Sequence, residues 1–372
     1  MLLAMQKPKS ILLLGGGHAH IQVLHALAKF KGPATKLTLV SDVIEAPYSG
    51  MIPSYLADIY NREQLQFNLK EICIRYGFNF IHDSAVQINA SENNVHLASG
   101  QIISYDFCSI NIGIEPQSIM TGPTDEDLIY LKPISQLLQH WDRIKNKSAA
   151  SITHIAVIGG GAAAFEIAVA CRRHFKNPHC RIQIITGVRG LLAGENARIQ
   201  RWALASLKYL QVEIISERKV SQVKDSYLIL NDGQKIKKQI CLVATSAKAP
   251  PLLRNSNLPV NENGFVIVER DLRVTGFKNI FAVGDCSEFS AQPLPKAGVF
   301  AVREGPVLIA NLKKLLVNSP RLKDYKPQSR FLKIMVSGEN IALASYGRWS
   351  AKGKLAWILK DIIDRRFMKR FS

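Results

Sequence analysis

Two stretches of the chain repeat one pattern of apolar and polar positions. Each has an apolar run, three successive glycines and an alanine-rich stretch with helical spacing, over residues 10–30 and again over residues 153–174. This pattern is typical of a strand, a tight turn and a helix. A further apolar run follows each unit, at residues 36–42 and 181–187, as the second strand of a βαβ unit does. The sequence therefore predicts two parallel, doubly wound α/β halves.

The remaining segments predict additional layers. Residues 79–105 and 212–230 have the pattern of short alternating strands with polar turns, which suits an antiparallel layer in each half. Residues 277–311 contain an apolar strand, a loop and a helix-like run, and the tail from residue 331 adds two strands and a basic end. No run reaches the roughly 18 apolar residues that a membrane-spanning helix needs. The apolar N-terminal run predicts a first strand rather than an export signal.

The first candidate binding site is the run Gly15, Gly16 and Gly17. A dinucleotide pyrophosphate needs a turn without Cβ atoms, so that backbone N–H groups and the positive end of the following helix can approach the anion. His20 stands at the last glycine position of the G-x-G-x-x-G pattern, where it would either loosen the helix–strand packing or bring an imidazole toward the phosphates. His18, at the predicted helix start, is either adjacent to the cofactor or only a helix cap.

The second candidate site is the equivalent turn of the second half. It consists of Gly159, Gly160, Gly161 and the first helical residue Ala162. Two such turns predict either two bound dinucleotides or one dinucleotide held by two lobes. Thr186 stands where an acid would indicate NAD, and Arg189 is either a ligand for a 2′-phosphate or an exposed loop arginine. The choice between NADH and NADPH therefore stays open.

Two acids are candidates for binding hydroxyl groups, because a carboxylate accepts hydrogen bonds from paired hydroxyls. Asp42 lies next to the end of the second strand and is the candidate for the ribose. Asp285, preceded by Gly284, follows an apolar strand and is suited to a polyol such as the ribitol of FAD. A Gly-Asp pair is also a common turn, so this motif alone is weak.

Taken together, three motifs in this order resemble the FAD-dependent pyridine nucleotide-disulfide oxidoreductase superfamily, in its branch without the active-site disulfide. They are GGGHAH (residues 15–20), GGGAAAFE (159–166) and NIFAVGDC (279–286). More narrowly, APYSGMIPSYLADIY (46–60), YLKPI (130–134) and PKAGVFAVREGPVLIANL (295–312) resemble a bacterial subgroup related to type II NADH dehydrogenases. That subgroup also occurs fused ahead of selenophosphate synthetase.

The resemblance implies an α/β fold with two Rossmann-like, three-layer ββα domains. The NAD(P)-binding domain, residues 119–250, would be inserted into the FAD-binding domain, residues 1–118 and 251–324. A C-terminal strand and helix segment, residues 325–372, would follow. It also implies an enzyme that passes electrons from NAD(P)H through FAD to a quinone or a similar acceptor.

The resemblance also assigns roles to single residues. It places Pro47, Tyr48, Lys296, Ala297 and Gly298 beside the flavin, with the helix that begins near Ala297 directing its N–H groups at the flavin. Glu166 would face the nicotinamide, or would be a first-turn acid that stabilises the helix dipole. Lys132 and Lys296 would pair with flavin or phosphate, or would be solvated lysines. Ser246 stands where the superfamily usually has a glycine.

The six cysteines show neither CxxC nor CxxxxC spacing. We therefore expect no redox disulfide, no metal site and a reducing, cytoplasmic compartment. Cys286 is expected to be a small buried residue rather than a nucleophile. We nominate no catalytic acid or base, because hydride transfer between two cofactors requires alignment rather than a protein proton donor.

The tail predicts an amphipathic basic helix. Its apolar residues share one helical face: Leu355, Ile358, Leu359, Ile362 and Ile363. Such a helix would contact an anionic membrane surface, which gives a peripheral location on the inner face of the membrane. Alternatively it docks on the protein's own core or on a second subunit, as in a homodimer.

The charge balance adds one restriction on partners. The chain has 48 Lys and Arg against 29 Asp and Glu, a net charge of +19, which favours anionic partners. The basic residues are scattered without an aromatic platform, so we expect no specific nucleic-acid binding. Two other functions remain open: oxidation of sulfide or a selenium species, and a non-catalytic redox sensor that binds FAD and NAD.

Overall fold

A parallel sheet forms the centre of the first half of the molecule. The computed structural model describes residues 8–117, 119, 127–147, 151–245 and 247–371. The sheet has five strands, in the spatial order Ile280–Ala282, Phe107–Ile110, Lys9–Leu14, Thr35–Ser41 and Asn79–His82. The central strand is buried along residues 11–14, as expected for a strand covered on both faces. The predicted first strand and glycine turn therefore lie in the middle of this sheet.

A second parallel sheet repeats the arrangement. Its strands are, in spatial order, Leu128–Tyr130, Ile240–Val243, His154–Ile158, Arg181–Ile185 and Val212–Ile215. All five come after Phe107–Ile110 and before Ile280–Ala282 in the chain, both of which belong to the first sheet. The second half is thus an insertion into the first. The prediction of two Rossmann-like domains, one inserted into the other, is confirmed.

Each sheet has an antiparallel meander as its second β layer. The meander of the first half consists of Ala85–Asn89, Asn94–Leu97 and Ile102–Ser104, and that of the second half of Val220–Val223, Tyr227–Leu230 and Lys235–Lys237. In the second half, Leu228, Leu230 and Ile236 share one apolar cluster with sheet residues such as Ala156 and Ile185. This packing explains the alternating pattern that the sequence shows in these two regions.

The helices provide the third layer. In chain order they are α1 (His18–Ala28), α2 (Ile52–Leu56), α3 (Leu69–Arg75), α4 (Ile134–Lys145), α5 (Ala162–His174), α6 (Ala197–Tyr209), α7 (Pro251–Asn255), α8 (Gly298–Leu316) and α9 (Lys354–Phe371). α8 packs along α1, and a Cβ at Gly305 would lie 2.6 Å from the amide nitrogen of Gln22, so this glycine permits the close approach. No described helix is long and apolar enough to cross a membrane.

Short strand pairs connect these layers. They are Glu45–Pro47 with Gln66–Asn68, Glu115–Pro116 with Ala247–Lys248, and Val266–Val268 with Ser287–Phe289. The second pair joins the two chain crossings between the halves. Single 3₁₀ turns occur at Ser49–Met51, Glu63–Leu65 and Gly284–Cys286.

The C-terminal segment contacts both halves. It begins with an antiparallel sheet of Lys333–Gly338, Ile341–Tyr346 and Trp349–Gly353, and ends with α9. The sheet packs on α5 of the second half. Its Lys333 ammonium lies 2.7 Å from the carboxylate of Glu195, which precedes α6 in the same half. α9 reaches the first half, where Lys360 donates a hydrogen bond of 2.6 Å to the carbonyl of Gly50.

Candidate functional site

A cavity of about 770 Å³ lies at the carboxyl ends of the strands of the first sheet. All five strand ends contribute to its wall, through Leu14, Ser41, Asp83, Asn111 and Asp285. This edge of a parallel sheet is where doubly wound folds bind their ligands. The volume is in the range of a site for a large organic cofactor.

The first glycine turn forms one wall, and its geometry excludes side chains. Gly15 has a φ of +88°, and a Cβ there would lie 2.5 Å from the carbonyl oxygen of Asn111. The Gly15 N–H donates to the Val40 carbonyl at 2.8 Å, which fixes the turn on the neighbouring strand. Gly17 is the N-cap of α1, and no side chain caps this helix. The first N–H groups of α1 therefore remain available to an anion, as the sequence predicts.

Asn111 is a cavity residue that the sequence interpretation missed. Its Nδ2 donates to the Val283 carbonyl at 2.8 Å, while its buried Oδ1 has no hydrogen-bond partner among the described residues. An unpaired buried acceptor next to a glycine turn fits a ligand that brings hydroxyl groups. The available signal was a polar residue at the end of the apolar run 107–110.

The two predicted histidines have different positions. His18 lines the cavity, with its Nε2 3.4 Å from the Ser49 hydroxyl. Burial and the nearby Lys132 lower its pKa to about 4, so the ring is neutral at pH 7. His20 lies behind the turn and is fully buried, with Nδ1 2.7 Å from the Gly15 carbonyl and Nε2 2.8 Å from the Ser109 hydroxyl.

The hydrogen bonds of His20 determine its protonation. A carbonyl only accepts, so Nδ1 of His20 donates to Gly15 and Nε2 accepts from Ser109. Burial lowers the pKa of His20 to about 4, which keeps the ring neutral. The side chain therefore fastens the turn to the neighbouring strand and does not line the cavity.

Of the predicted acids and lysines, Asp42, Asp285 and Lys132 line the cavity, whereas Lys296 does not. Asp42 and Asp285 both line it, and the Lys132 ammonium lies 3.5 Å from the Asp285 carboxylate. Lys296 instead binds the Ser287 carbonyl at 2.6 Å and the Glu288 carboxylate at 2.7 Å. Of the two predicted lysines, Lys132 is thus the one that lines the cavity.

Gly284 is paired with a buried acid that the sequence interpretation did not select. The Gly284 N–H donates to the carboxylate of Glu304 at 2.6 Å. Burial raises the pKa of Glu304 to about 7. The carboxyl lies on α8, behind the turn that contains Asp285.

The other candidates for contact with a flavin lie on the cavity wall or directly beside it. Pro47 and Gly298 line the cavity, and Ala297 is the N-cap of α8, which has no side-chain cap. The Tyr48 hydroxyl hydrogen-bonds Asp364, and its ring stacks on Phe367 with centroids 4.7 Å apart. The C-terminal helix therefore covers the segment next to the cavity.

The second glycine turn is fixed to its neighbouring strand in the same way as the first. Its Gly159 N–H donates to the Ile185 carbonyl at 2.9 Å, and a Cβ at Gly159 would lie 2.5 Å from the Ala244 carbonyl. Gly161 is the N-cap of α5, again without a side-chain cap, and a Cβ there would meet no atom within 4 Å. Space and N–H groups for a second pyrophosphate are therefore present at Gly161 and Ala162. Ser246 lies outside the described residues.

Glu166 faces the C-terminal sheet. Its carboxylate accepts a hydrogen bond of 2.8 Å from the Val336 N–H. Burial raises the pKa of Glu166 to about 7, against the opposing effect of Lys360. Glu166 is the fifth residue of α5, whose first turn holds no acid, so the alternative role of a first-turn acid is wrong.

All six cysteines are buried, and none of them forms a disulfide. Burial raises the pKa of Cys286 to about 12, so its thiol stays protonated at neutral pH. Among the described residues, no group of three or more His, Cys, Asp or Glu side chains is arranged to hold a metal ion.

Comparisons with known proteins agree with this geometry. The family model described as pyridine nucleotide-disulphide oxidoreductase matches residues 9–305. The type II NADH:quinone oxidoreductase of Staphylococcus saprophyticus is 21% identical over 389 residues, covering 97% of this chain and 95% of that protein. A probable NADH dehydrogenase of Dictyostelium discoideum is 21% identical over 276 residues, covering 66% of this chain and 61% of that protein.

Two solved structures share the fold. The sulfide:quinone oxidoreductase of Aquifex aeolicus superimposes with a TM-score of 0.80 at 20% identity, covering 98% of this chain and 91% of that chain. The NDH2 of Plasmodium falciparum in complex with NADH gives 0.83 at 14% identity, covering 98% and 97%. The resemblance inferred from the three motifs is confirmed, and so is the prediction of an oxidoreductase. This chain belongs to the pyridine nucleotide-disulphide oxidoreductase family.

Proposed function

We propose that this chain is an FAD-dependent NAD(P)H oxidoreductase that delivers electrons to a quinone. The observation that supports it most is the pair of equivalent glycine turns, each fixed to the next strand by one N–H bond of 2.8 or 2.9 Å. The first turn opens on the large cavity, and the second leaves space at Gly161. The name of the similar Staphylococcus protein specifies NADH and a quinone, and the similar Plasmodium structure is a complex with NADH.

The residues at the cavity fit FAD. Gly15, Gly16 and Gly17 with the N-terminus of α1 would hold its pyrophosphate, Asp42 its ribose and Asp285 its ribityl chain. Bound there, FAD would supply the two-electron chemistry. Pro47 and Gly298 line the same cavity, where the N-terminal N–H groups of α8, which has no side-chain cap, would provide positive potential.

The second turn would bind the nicotinamide dinucleotide through Gly159, Gly160, Gly161 and the N-terminus of α5. The protein's contribution is to hold the two ring systems in contact, so no side chain has to move a proton in that step. Glu166 lies one turn into α5 and contacts the C-terminal segment. It therefore positions that segment next to the second site.

We also propose limits for the domains. Residues 1–118 and 251–324 would bind FAD, residues 119–250 the nicotinamide nucleotide, and residues 325–372 would form the acceptor side. The strand pair Glu115–Pro116 with Ala247–Lys248 supports the first two limits, because both crossings between the halves meet there.

The outer face of α9 supports a membrane surface as the place where the quinone is reached. Leu355 is 83% exposed, and Leu359, Ile362 and Ile363 are exposed as well. The inward face holds Lys360 and Asp364 together with Ala356, Met368 and Phe371. An apolar stripe that faces outward on a basic helix is typical of a peripheral contact with an anionic bilayer. We propose such a contact at the cytoplasmic face. A homodimer through the same stripe is the alternative, which analytical ultracentrifugation of a stripe variant distinguishes from membrane contact.

Sulfide oxidation is a second candidate, because the Aquifex structure shares the fold. The state of the thiols in this chain does not fit sulfide oxidation. All six cysteines are buried and none forms a disulfide, and burial raises the pKa of Cys286 to about 12. Cys286 therefore stays protonated at neutral pH and does not supply the reactive thiolate that sulfide oxidation uses near a flavin.

Anaerobic spectroscopy of the purified protein tests the proposal. We expect a yellow protein whose flavin absorbance is bleached by NADH or NADPH and restored by a soluble quinone. Bleaching by sulfide and by neither nicotinamide would favour the second candidate. A flavin that no donor reduces would contradict both and point to a redox sensor.

A further inference from the structure

The two glycine turns allow a residue-by-residue comparison inside this one chain. In the first half, Leu14 pairs with Val40. In the second half, Ile158 pairs with Ile185. The register therefore makes Asp42 and Gly187 equivalent, each standing two residues beyond the paired strand residue.

This comparison shows that the acid of the first turn has no counterpart at the second. Asp42 lines the first cavity. At the second turn Gly187 has no side chain, Thr186 is fully buried, and no Asp or Glu occurs in residues 181–194. The next acid, Glu195, is bound to Lys333 at 2.7 Å and to Ser345 at 3.1 Å. A carboxylate at this place would bind the 2′-hydroxyl of the adenosine ribose and repel a 2′-phosphate, so its absence removes discrimination against the phosphate.

The loop after this strand presents an arginine instead. A reverse turn, closed by the Gly190 N–H on the Gly187 carbonyl at 2.9 Å, brings the loop back to the glycines. The Leu192 N–H donates to the Gly160 carbonyl at 2.6 Å, which fastens the loop to the second turn. Arg189, at the tip, is exposed and makes no ion pair within the described residues. The arginine farther along the sheet edge, Arg218, is already paired with Asp232.

We propose that the second turn selects the 2′-phosphorylated nucleotide, NADPH, and that Arg189 recognises the phosphate. A guanidinium offers several N–H donors in a planar fork that matches phosphate oxygens. This inference rests on the proposed NAD(P)H oxidoreductase function and refines its substrate. It also distinguishes this chain from the relatives whose names specify NADH.

Calorimetric binding of adenine nucleotides to the FAD-loaded protein tests it without any redox reaction. The probes are 5′-AMP, adenosine 2′,5′-bisphosphate and adenosine 3′,5′-bisphosphate. The last has the same charge as the second, so it controls for the general attraction of a basic protein. We expect the 2′,5′-bisphosphate to bind about tenfold more tightly than either of the others.

Three variants test which residue produces the preference for the 2′,5′-bisphosphate. Arg189→Gln should abolish it, whereas Arg75→Gln, which removes an exposed arginine from α3, should leave it intact. Gly187→Glu should reverse it in favour of 5′-AMP. The space around Gly187 is open, with no atom within 4 Å of a Cβ, so this variant should fold normally.

Equal affinities for the three nucleotides, or a preference that survives in Arg189→Gln, would overturn the inference. The proposed function is judged separately by flavin bleaching. Tight binding of the 2′,5′-bisphosphate without bleaching by NADPH would support the preference for NADPH and refute the oxidoreductase function. Bleaching by NADH together with equal affinities for the three adenine nucleotides would support the oxidoreductase function and refute the preference.

Discussion

Glu304 is a buried carboxyl at the edge of the proposed flavin site. Its pKa is raised from 4.5 to about 7, chiefly by burial, while the Gly284 N–H that it accepts opposes the rise. A carboxyl whose pKa is raised in the folded state stabilises the fold below pH 4.5. That contribution is lost as the pH rises through 7, because the unfolded chain ionises first.

Glu304→Gln therefore gives a prediction at the scale of one residue. The amide oxygen of glutamine can still accept from Gly284, but it does not ionise. We expect the variant to match the parent protein near pH 4.5 and to be more stable by up to about 3 kcal/mol at pH 8. Urea unfolding at both pH values, with FAD in excess, measures this difference.

Glu262→Gln is the matched control, because Glu262 is exposed. It should change the free energy of unfolding equally at the two pH values. A constant difference for Glu304→Gln as well would show that Glu304 is ionised in the folded protein across this range.

Residues differ in how far the sequence predicts their roles. Gly15 and Gly159 could be predicted because a tight turn after a strand is a local requirement of the backbone. His20 and Asn111 could not, because their contacts depend on which distant strands become neighbours. The Ser109 partner of His20 is 89 positions away in the chain, and the Val283 partner of Asn111 is 172 positions away.

Among the elements, α9 is unusual because it exposes an apolar stripe and buries an ion pair beside Ala356, Met368 and Phe371. Its inward face includes an ion pair of 2.7 Å between Lys360 and Asp364, and both side chains are nearly inaccessible to solvent. Its outward face holds the exposed Leu and Ile residues. Helical spacing alone predicted the stripe but not the direction it faces, since an apolar stripe usually points into the core.

The outward stripe should control membrane association. We expect Leu355→Ser together with Leu359→Ser to lower the partition of the protein onto anionic vesicles by about tenfold or more, because both side chains would lose burial in the bilayer interface. Vesicle sedimentation measures the partition. Circular dichroism checks that the variant remains folded.

Leu204→Ser on α6 is the control for this variant, because Leu204 is also exposed. It should leave the partition unchanged. If the double variant binds vesicles normally but changes from dimer to monomer in analytical ultracentrifugation, the stripe is a subunit interface.

The inward ion pair should hold α9 on the first half. Asp364→Ala would leave the buried Lys360 without its counter-charge, and Tyr48 without its hydrogen-bond partner. We expect a loss of about 3–5 kcal/mol. Hydrogen exchange should show faster opening of α9 before any change in the two parallel sheets.

An apolar replacement of the whole pair provides the comparison. Lys360→Met with Asp364→Leu removes both charges, so it should recover much of the lost stability. Equal destabilisation by the single and the double variant would mean that the ion pair does not hold the helix.

For the whole molecule, the sequence predicts the insertion of one domain into the other only indirectly. The duplicated turn predicts two similar halves, but it does not show that the strand Ile280–Ala282 returns to the first sheet. That return depends on pairing with Phe107–Ile110, about 170 positions earlier. It matters for function, because it brings Asp285 to the same cavity as Gly15.

The proposed function requires two separate dinucleotides, one at each glycine turn. Gly161→Val tests this requirement, because a Cβ there meets no protein atom within 4 Å and the valine would occupy the approach of a pyrophosphate. We expect the variant to retain one FAD per chain with an unchanged absorbance spectrum. Under anaerobic conditions, NADPH and NADH should bleach its flavin at least about a hundredfold more slowly than in the parent protein. Loss of the flavin from this variant, or reduction at the parental rate, would contradict the account.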